Sequence, residues 1–123
     1  KQLAQISKGV LPPTIEVGNL AAKRDFSDVR DIVRAYRLIG EGGEGVYNLC
    51  SGHAVAIQYL LETLVEISGQ SVTIAVSPER YRPLDVPAIY GDISRLRTEF
   101  EWEPRYSLKD TLTSLYEYWL ERV

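Results

Sequence analysis

The sequence has a single cysteine, a single histidine and no long apolar run. Cys50 alone cannot build an internal disulfide framework, so a reducing, cytoplasmic setting is expected. With no partner cysteine or activating pair nearby, Cys50 reads as a small buried hydrophobe. His53 has no neighbouring Ser or Cys nucleophile and no further metal ligands, so it is expected at a turn or helix entry, and neither catalytic nor metal-binding residues are expected. No apolar stretch approaches the length that crosses a bilayer, and no signal-peptide pattern opens the chain, so no membrane partner is expected. Excess basic charge is also missing. A net charge of -3 and a pI near 5.2 leave no basic face for nucleic acid. A small anion remains compatible with that charge. Screening acts over about 8 Å at physiological salt, so two arginines touching a phosphate outweigh scattered surface acids.

What is present is 123 residues with 45% hydrophobic and 25% charged side chains, enough for one core and one domain. Lys1 to Lys8 reads as the end of a helix stopped by Gly9, which suggests a part of something longer. Thr14-Ile15-Glu16-Val17 reads as a short strand ending at the turn formers Gly18-Asn19. Past the charged run Lys23 to Asp31, a helix is expected over residues 28–39, capped by Ser27 or Asp28, with Val29, Ile32, Val33, Tyr36 and Ile39 on one stripe. The glycine run Gly40 to Gly45 follows a helix and precedes a strand, the wrong order for a phosphate-binding loop, so it reads as a connection. Val46 to Cys50 reads as an apolar strand and Ser51-Gly52 as a turn. Ile57 to Ile67 carries helical periodicity up to Gly69, and Val72 to Val76 alternates as a half-buried strand. Asp92 should cap a short helix over residues 93–99. Ser107 opens a capping box with Asp110, ahead of a helix whose inward stripe is Leu108, Leu112, Leu115 and Trp119. Phe100 and Trp102 read as core. The fold class is mixed α/β, with short strands and three main helices.

Two arginines carry the functional signal. Arg24 stands where a strand gives way to a capped helix, so its guanidinium presents a fixed planar fork suited to carboxylates and phosphates. A structural alternative is that Arg24 only pairs with Asp25 or Asp28. Arg82 lies in a loop stiffened by Pro78, Pro83 and Pro87, and the prolines preset the backbone on which Arg82 and Asp85 are displayed. Arg30 and Arg34, on the helix, read as solvated or ion-paired.

Five stretches now stand in order: Val17-Gly18-Asn19-Leu20, Lys23-Arg24-Asp25-Phe26, Asp28-Val29-Arg30-Asp31, Val46-Tyr47-Asn48-Leu49-Cys50-Ser51-Gly52 and Arg82-Pro83-Leu84-Asp85-Val86-Pro87. Their order and spacing resemble the C-terminal lobe of the extended short-chain dehydrogenase/reductases, which include nucleotide-sugar epimerases, dehydratases and reductases. Phe100-Glu101-Trp102-Glu103-Pro104 also fits that family's usual Leu-Gly-Trp-x-Pro ending, with Phe100 and Glu101 as departures. The resemblance covers nearly the whole chain. It implies the small C-terminal lobe alone, with the Rossmann domain absent, and a GDP-sugar as substrate. Phe26-Ser27 and Asp85 look more like the reductases of this group than the dehydratases, which usually carry Trp-His and Glu there.

By the same resemblance, Arg24 and Arg82 match the arginines that grip the nucleotide's phosphates or ribose, and Asp85 a polar position near the ribose or sugar. Val17 and Asn19 match positions bordering the base. The family's chemistry uses NAD(P), a glycine-rich strand-to-helix turn and a Tyr-x-x-x-Lys pair. None of the eight tyrosines here has a lysine four positions on. The chain is therefore expected to be the substrate-binding part of a longer enzyme, with the dinucleotide held mainly outside it and catalysis dependent on the N-terminal Rossmann domain. The full-length form is expected to be a homodimer. An apolar face should be exposed where the Rossmann domain packs. The competing reading is a noncatalytic binding module, which an upstream segment bearing the glycine-rich turn and the Tyr-Lys pair would exclude.

Overall fold

The computed structural model describes residues 1–83 and 86–123. The elements run α1 (Gln2–Ser7), β1 (Thr14–Val17), β2 (Lys23–Asp25), α2 (Val29–Gly42), β3 (Ala54–Ala56), α3 (Ile57–Ser68), β4 (Thr73–Val76), α4 (Ser94–Phe100) and α5 (Leu108–Leu120). β1 and β4 pair in parallel, from Thr14 opposite Thr73 to Val17 opposite Val76. β2 and β3 pair antiparallel, with Arg24 opposite Val55. Three helices of 12 to 14 residues dominate a mixed α/β lobe, as the pattern of short strands and helical stripes predicts.

Local chemistry sets the helix ends. Asp28 caps α2 by accepting from the Arg30 amide at 2.8 Å. Gly69 closes α3 in the left-handed region at φ 63°, which glycine adopts without a Cβ clash. Ser107 and Asp110 form the reciprocal capping box of α5. Asp92 accepts from the Ser94 amide at 2.8 Å at the start of α4.

The core is divided where a single one was expected. Leu3, Ile6, Ile15 and Leu61 form one cluster, with Leu64, Val72 and Tyr116 packed against it. Ala35, Ile93, Leu96 and Trp102 form the other, joined by Leu38, Tyr47, Leu49 and Phe100.

Three of the five residues of the apolar stripe expected on α2 face outward, while Ile39 packs against the second core cluster. Val29, Val33 and Tyr36 are 58–70% exposed, while Asp31 and Ala35 are buried. The Asp31 carboxylate fixes this rotation. It accepts from the Arg105 amide at 3.0 Å, the Tyr106 amide at 3.1 Å and Arg34 Nη2 at 2.8 Å. An ionised group so bonded must face the segment that supplies its donors, and the valines lie on the opposite side of the helix.

Four further expectations are corrected. α2 runs through Gly40 and Gly42 rather than stopping at residue 39. Val46–Cys50 forms no strand ladder among the described residues, and the strand of this region is β3. In β4, Ile74 and Val76 are largely exposed, because the helices cover β1 while β4 lies at the rim. Leu115, assigned to the inward stripe of α5, is likewise 47% exposed.

Candidate functional site

β1 and β4 end side by side at Val17 and Val76, and in parallel sheets ligands meet the loops beyond the carboxyl ends of the strands. The two loops here are locked together. Ser77 donates its amide to the Val17 carbonyl at 2.9 Å. Gly18 packs directly on the Arg80 backbone: a Cβ at this position would overlap the Arg80 carbonyl oxygen, so only glycine permits this approach. Asn19 spans the junction. Its Nδ2 donates to the Arg82 carbonyl at 3.1 Å while its Oδ1 accepts from the Ala21 amide at 3.0 Å.

The far end of the proline-stiffened loop runs along β2. The Lys23 amide donates to the Pro87 carbonyl at 2.9 Å, the Ile89 amide donates to the Lys23 carbonyl at 3.1 Å, and Lys23 forms a parallel bridge with Ala88. Arg24 Nη1 donates to the Lys23 carbonyl at 2.7 Å and to the Val86 carbonyl at 3.1 Å. The loop that begins beside Asn19 thus ends on the strand that carries Arg24. Arg24 is half-buried and Arg82 is exposed.

The acids beside Arg24 are engaged elsewhere. Asp25 accepts from the amides of Ser51 at 2.7 Å, Gly52 at 2.9 Å and Gly91 at 3.3 Å. Burial pushes its carboxyl up, but hydrogen bonding from Ser51, Gly91 and Gly52 outweighs that and leaves it below the ordinary carboxylate range. Asp28 takes a bidentate grip from Arg30, at 2.8 and 2.7 Å, and a hydroxyl bond from Thr111 at 2.7 Å. The Arg30 guanidinium, followed by the Thr111 hydroxyl, holds the Asp28 carboxyl far below its usual value against the cost of burial. Among the described residues, Arg24 and Arg82 have no carboxylate at ion-pair distance. The structural alternative for Arg24, a pair with Asp25 or Asp28, is therefore absent. Arg30 and Arg34 are ion-paired, with Asp28 and Asp31.

Val17 and Asn19 also line an apolar groove of about 360 Å³, with Leu60, Leu64, Leu115 and Trp119; neither Arg24 nor Arg82 lines it. Asp85 lies outside the described residues. The sequence reading passed over Arg80, which pairs with Glu16 at 3.4 Å and holds the loop to β1. Its charge in the loop opposite an acidic strand residue was the available signal. Cys50 packs beside the second core cluster. Burial first, then the Asp25 charge, pushes its thiol up, which disfavours the thiolate. Among the described residues no cluster of His, Cys, Asp and Glu could hold a metal ion. No described helix is long and apolar enough to cross a membrane.

A family model described as GDP-mannose 4,6 dehydratase matches residues 1–115. The chain is 34% identical to the GDP-6-deoxy-D-mannose reductase of Pseudomonas aeruginosa, covering 100% of this chain and 41% of that protein. It is 28% identical to the GDP-mannose 4,6-dehydratase sdnI of Sordaria araneosa, covering 93% of this chain and 24% of that one. A solved structure of RMD from Pseudomonas aeruginosa complexed with NADPH superposes with a TM-score of 0.93 at 31% identity, over 99% of this chain and 41% of the other. The chain spans at most about two-fifths of the length of these relatives.

Proposed function

Because the chain belongs to the GDP-mannose 4,6-dehydratase family, we propose that it is the nucleotide-sugar-binding part of a longer NAD(P)-dependent enzyme. The reaction proposed is reduction of the 4-keto group of GDP-4-keto-6-deoxymannose to give GDP-rhamnose. The observation that carries this reading is the meeting of two arginine-bearing segments. Arg24 donates to Val86 and Asn19 to Arg82, at the two ends of one loop, and neither arginine has a carboxylate partner among the described residues. A diphosphate carries about two negative charges and accepts charge-assisted bonds from such a pair. At an effective dielectric near 20, each close contact contributes roughly 4 kcal/mol before desolvation is subtracted. Asp85, at the middle of the same loop, is assigned to the ribose or sugar, and Val17 with Asn19 to the border of the base.

The hydride chemistry is assigned to the rest of the enzyme, because the glycines here do not fit a dinucleotide. Gly40 and Gly42 lie in the last turns of α2, where the negative end of the helix dipole disfavours a pyrophosphate. The residues of this chain bind and orient the sugar nucleotide, with catalysis left to groups outside it. The second reading is 4,6-dehydration of GDP-mannose, favoured by the description of the matching family model. Phe26-Ser27, where the dehydratases usually carry Trp-His, weighs toward the reductase.

The test is titration calorimetry with GDP on the full-length protein. Arg24→Ala and Arg82→Ala should each raise the dissociation constant by at least about tenfold, the loss of one charge-assisted contact. Unchanged affinity in both variants would defeat the assignment. Turnover of GDP-mannose in place of the keto sugar would select the dehydratase reading.

A further inference from the structure

The loop that carries Arg82 is tied down unevenly. Its first residues are held several ways: the Ser77 amide reaches the Val17 carbonyl at 2.9 Å, the Arg80 and Tyr81 amides return to the Ser77 carbonyl at 3.0 Å, and Arg80 pairs with Glu16 at 3.4 Å. Its far end rests on β2 through Val86, Pro87 and Ile89. Between Tyr81 and Val86, among the described residues, the backbone receives one hydrogen bond, from Asn19 Nδ2 to the Arg82 carbonyl at 3.1 Å. The other end of the Asn19 amide is fixed too, since Oδ1 accepts from the Ala21 amide at 3.0 Å and so closes a turn two residues on. Asn19 stands at the border assigned to the base, yet its side-chain amide bridges two stretches of main chain. Pro83 holds Arg82 in the extended region. A carbonyl pinned by Asn19 and a backbone restricted by proline together set where the Arg82 side chain leaves the loop.

We propose that Asn19 is a positioning residue for nucleotide binding: its side chain acts through the Arg82 main chain, fixing where that guanidinium meets the diphosphate, and makes no contact of its own with the base. The inference rests on the assignment of Arg82 to the phosphates. Arg82 is exposed and has no carboxylate partner among the described residues, so its direction is set by the backbone beneath it. Backbone that is ordered before the ligand arrives loses less conformational entropy on binding. The same bond contributes little to the fold, because it lies at the surface and the loop is anchored on both sides of it. Its value is therefore expected in affinity and not in stability.

The experiment is a double-mutant cycle read by titration calorimetry with GDP on the full-length protein, comparing the native form, Asn19→Ser, Arg82→Ala and the double variant. Serine keeps a turn-forming oxygen for the Ala21 amide and is too short to reach the Arg82 carbonyl. Asn19→Ser should raise the dissociation constant by about fivefold to tenfold, the cost of ordering one residue's backbone on binding. In the Arg82→Ala background the same change should shift it by less than about twofold, because no guanidinium is left to place. A side chain that touched the base, or merely held the fold, would weaken binding by the same factor in both backgrounds, and that outcome overturns the proposal. So does an Asn19→Ser variant within about twofold of native affinity, or one whose urea midpoint falls by more than about 1 M, the mark of a structural staple. Native affinity in Arg82→Ala alone would defeat the assignment of Arg82 to the phosphates, and the proposal with it; weakened binding there with no coupling to Asn19 defeats the proposal only.

Discussion

Asp31 is the most buried carboxylate among the described residues, so replacing it by asparagine tests whether α2 is oriented as described. Its side chain is almost fully buried and receives the Arg105 amide, the Tyr106 amide and Arg34 Nη2, all at 2.8–3.1 Å. Asparagine keeps one acceptor oxygen and turns an NH2 group toward donors that previously met an oxygen. Hydrogen bonds to charged groups contribute about 1.5–3 kcal/mol each. Loss of one and weakening of another gives a destabilisation of about 3 kcal/mol, a large share of the stability usual for small domains. In urea denaturation at pH 7 the midpoint should fall by about 1–2 M for a typical slope.

The pH dependence supplies a second check. Burial pushes the Asp31 carboxyl up, but bonding from Arg34, Tyr106 and Arg105 outweighs it and leaves the folded value below the ordinary one. A carboxyl lowered on folding stabilises above its unfolded value, near 3.9, and that contribution fades as pH falls toward the folded value. The gap between the native protein and Asp31→Asn should therefore be constant near neutrality and narrow below about pH 4. A midpoint shift under about 0.3 M at pH 7, or a gap that stays unchanged down to pH 3, would refute the rotation assigned to α2.

Gly18→Ala should be costly because its Cβ would overlap the Arg80 carbonyl. Displacing the loop is expected to cost about 1–3 kcal/mol in thermal or urea unfolding and to weaken GDP binding; an alanine variant as stable as the parent would contradict the close approach. Ser107→Ala removes one half of the capping box of α5 and should cost about 1 kcal/mol by the same denaturation assay, with GDP affinity unchanged.

The elements that were legible in the sequence are those whose cause is local. Ser107 and Asp110 specify a helix start by reaching each other's amides, Gly69 specifies a stop by its left-handed turn, and Asp28 caps the helix it precedes. What was misread depends on distant groups. Periodicity finds the apolar stripe of Val29, Val33 and Tyr36 but cannot say that Asp31, on the opposite side, will be turned inward by amides at residues 105 and 106. Composition finds a strand at Val46–Cys50 but cannot say that no described strand lies beside it. Ile74 and Val76 alternate as a half-buried strand should, yet the helices settle over β1 and leave them exposed.

The candidate site separates differently. Arg24 and Asp25 are neighbours in the chain, so sequence alone could not exclude that they serve each other. The structure divides their work: Asp25 gathers the amides of Ser51, Gly52 and Gly91, which leaves Arg24 bonded to backbone carbonyls with guanidinium nitrogens to spare. The same test sorts the other arginines. Arg30, Arg34, Arg37, Arg80, Arg95, Arg97 and Arg122 each neutralise a carboxylate. Arg24, Arg82 and Arg105 are the arginines without one among the described residues, and Arg105 sits apart, beside Arg34 and Arg37. The uncommitted charge that remains near the carboxyl ends of β1 and β4 is the pair assigned to the phosphates. Positive charge without a carboxylate partner among the described residues, on segments joined by backbone bonds, retains its attraction for an external anion, and that is the physical reason to look for the nucleotide there.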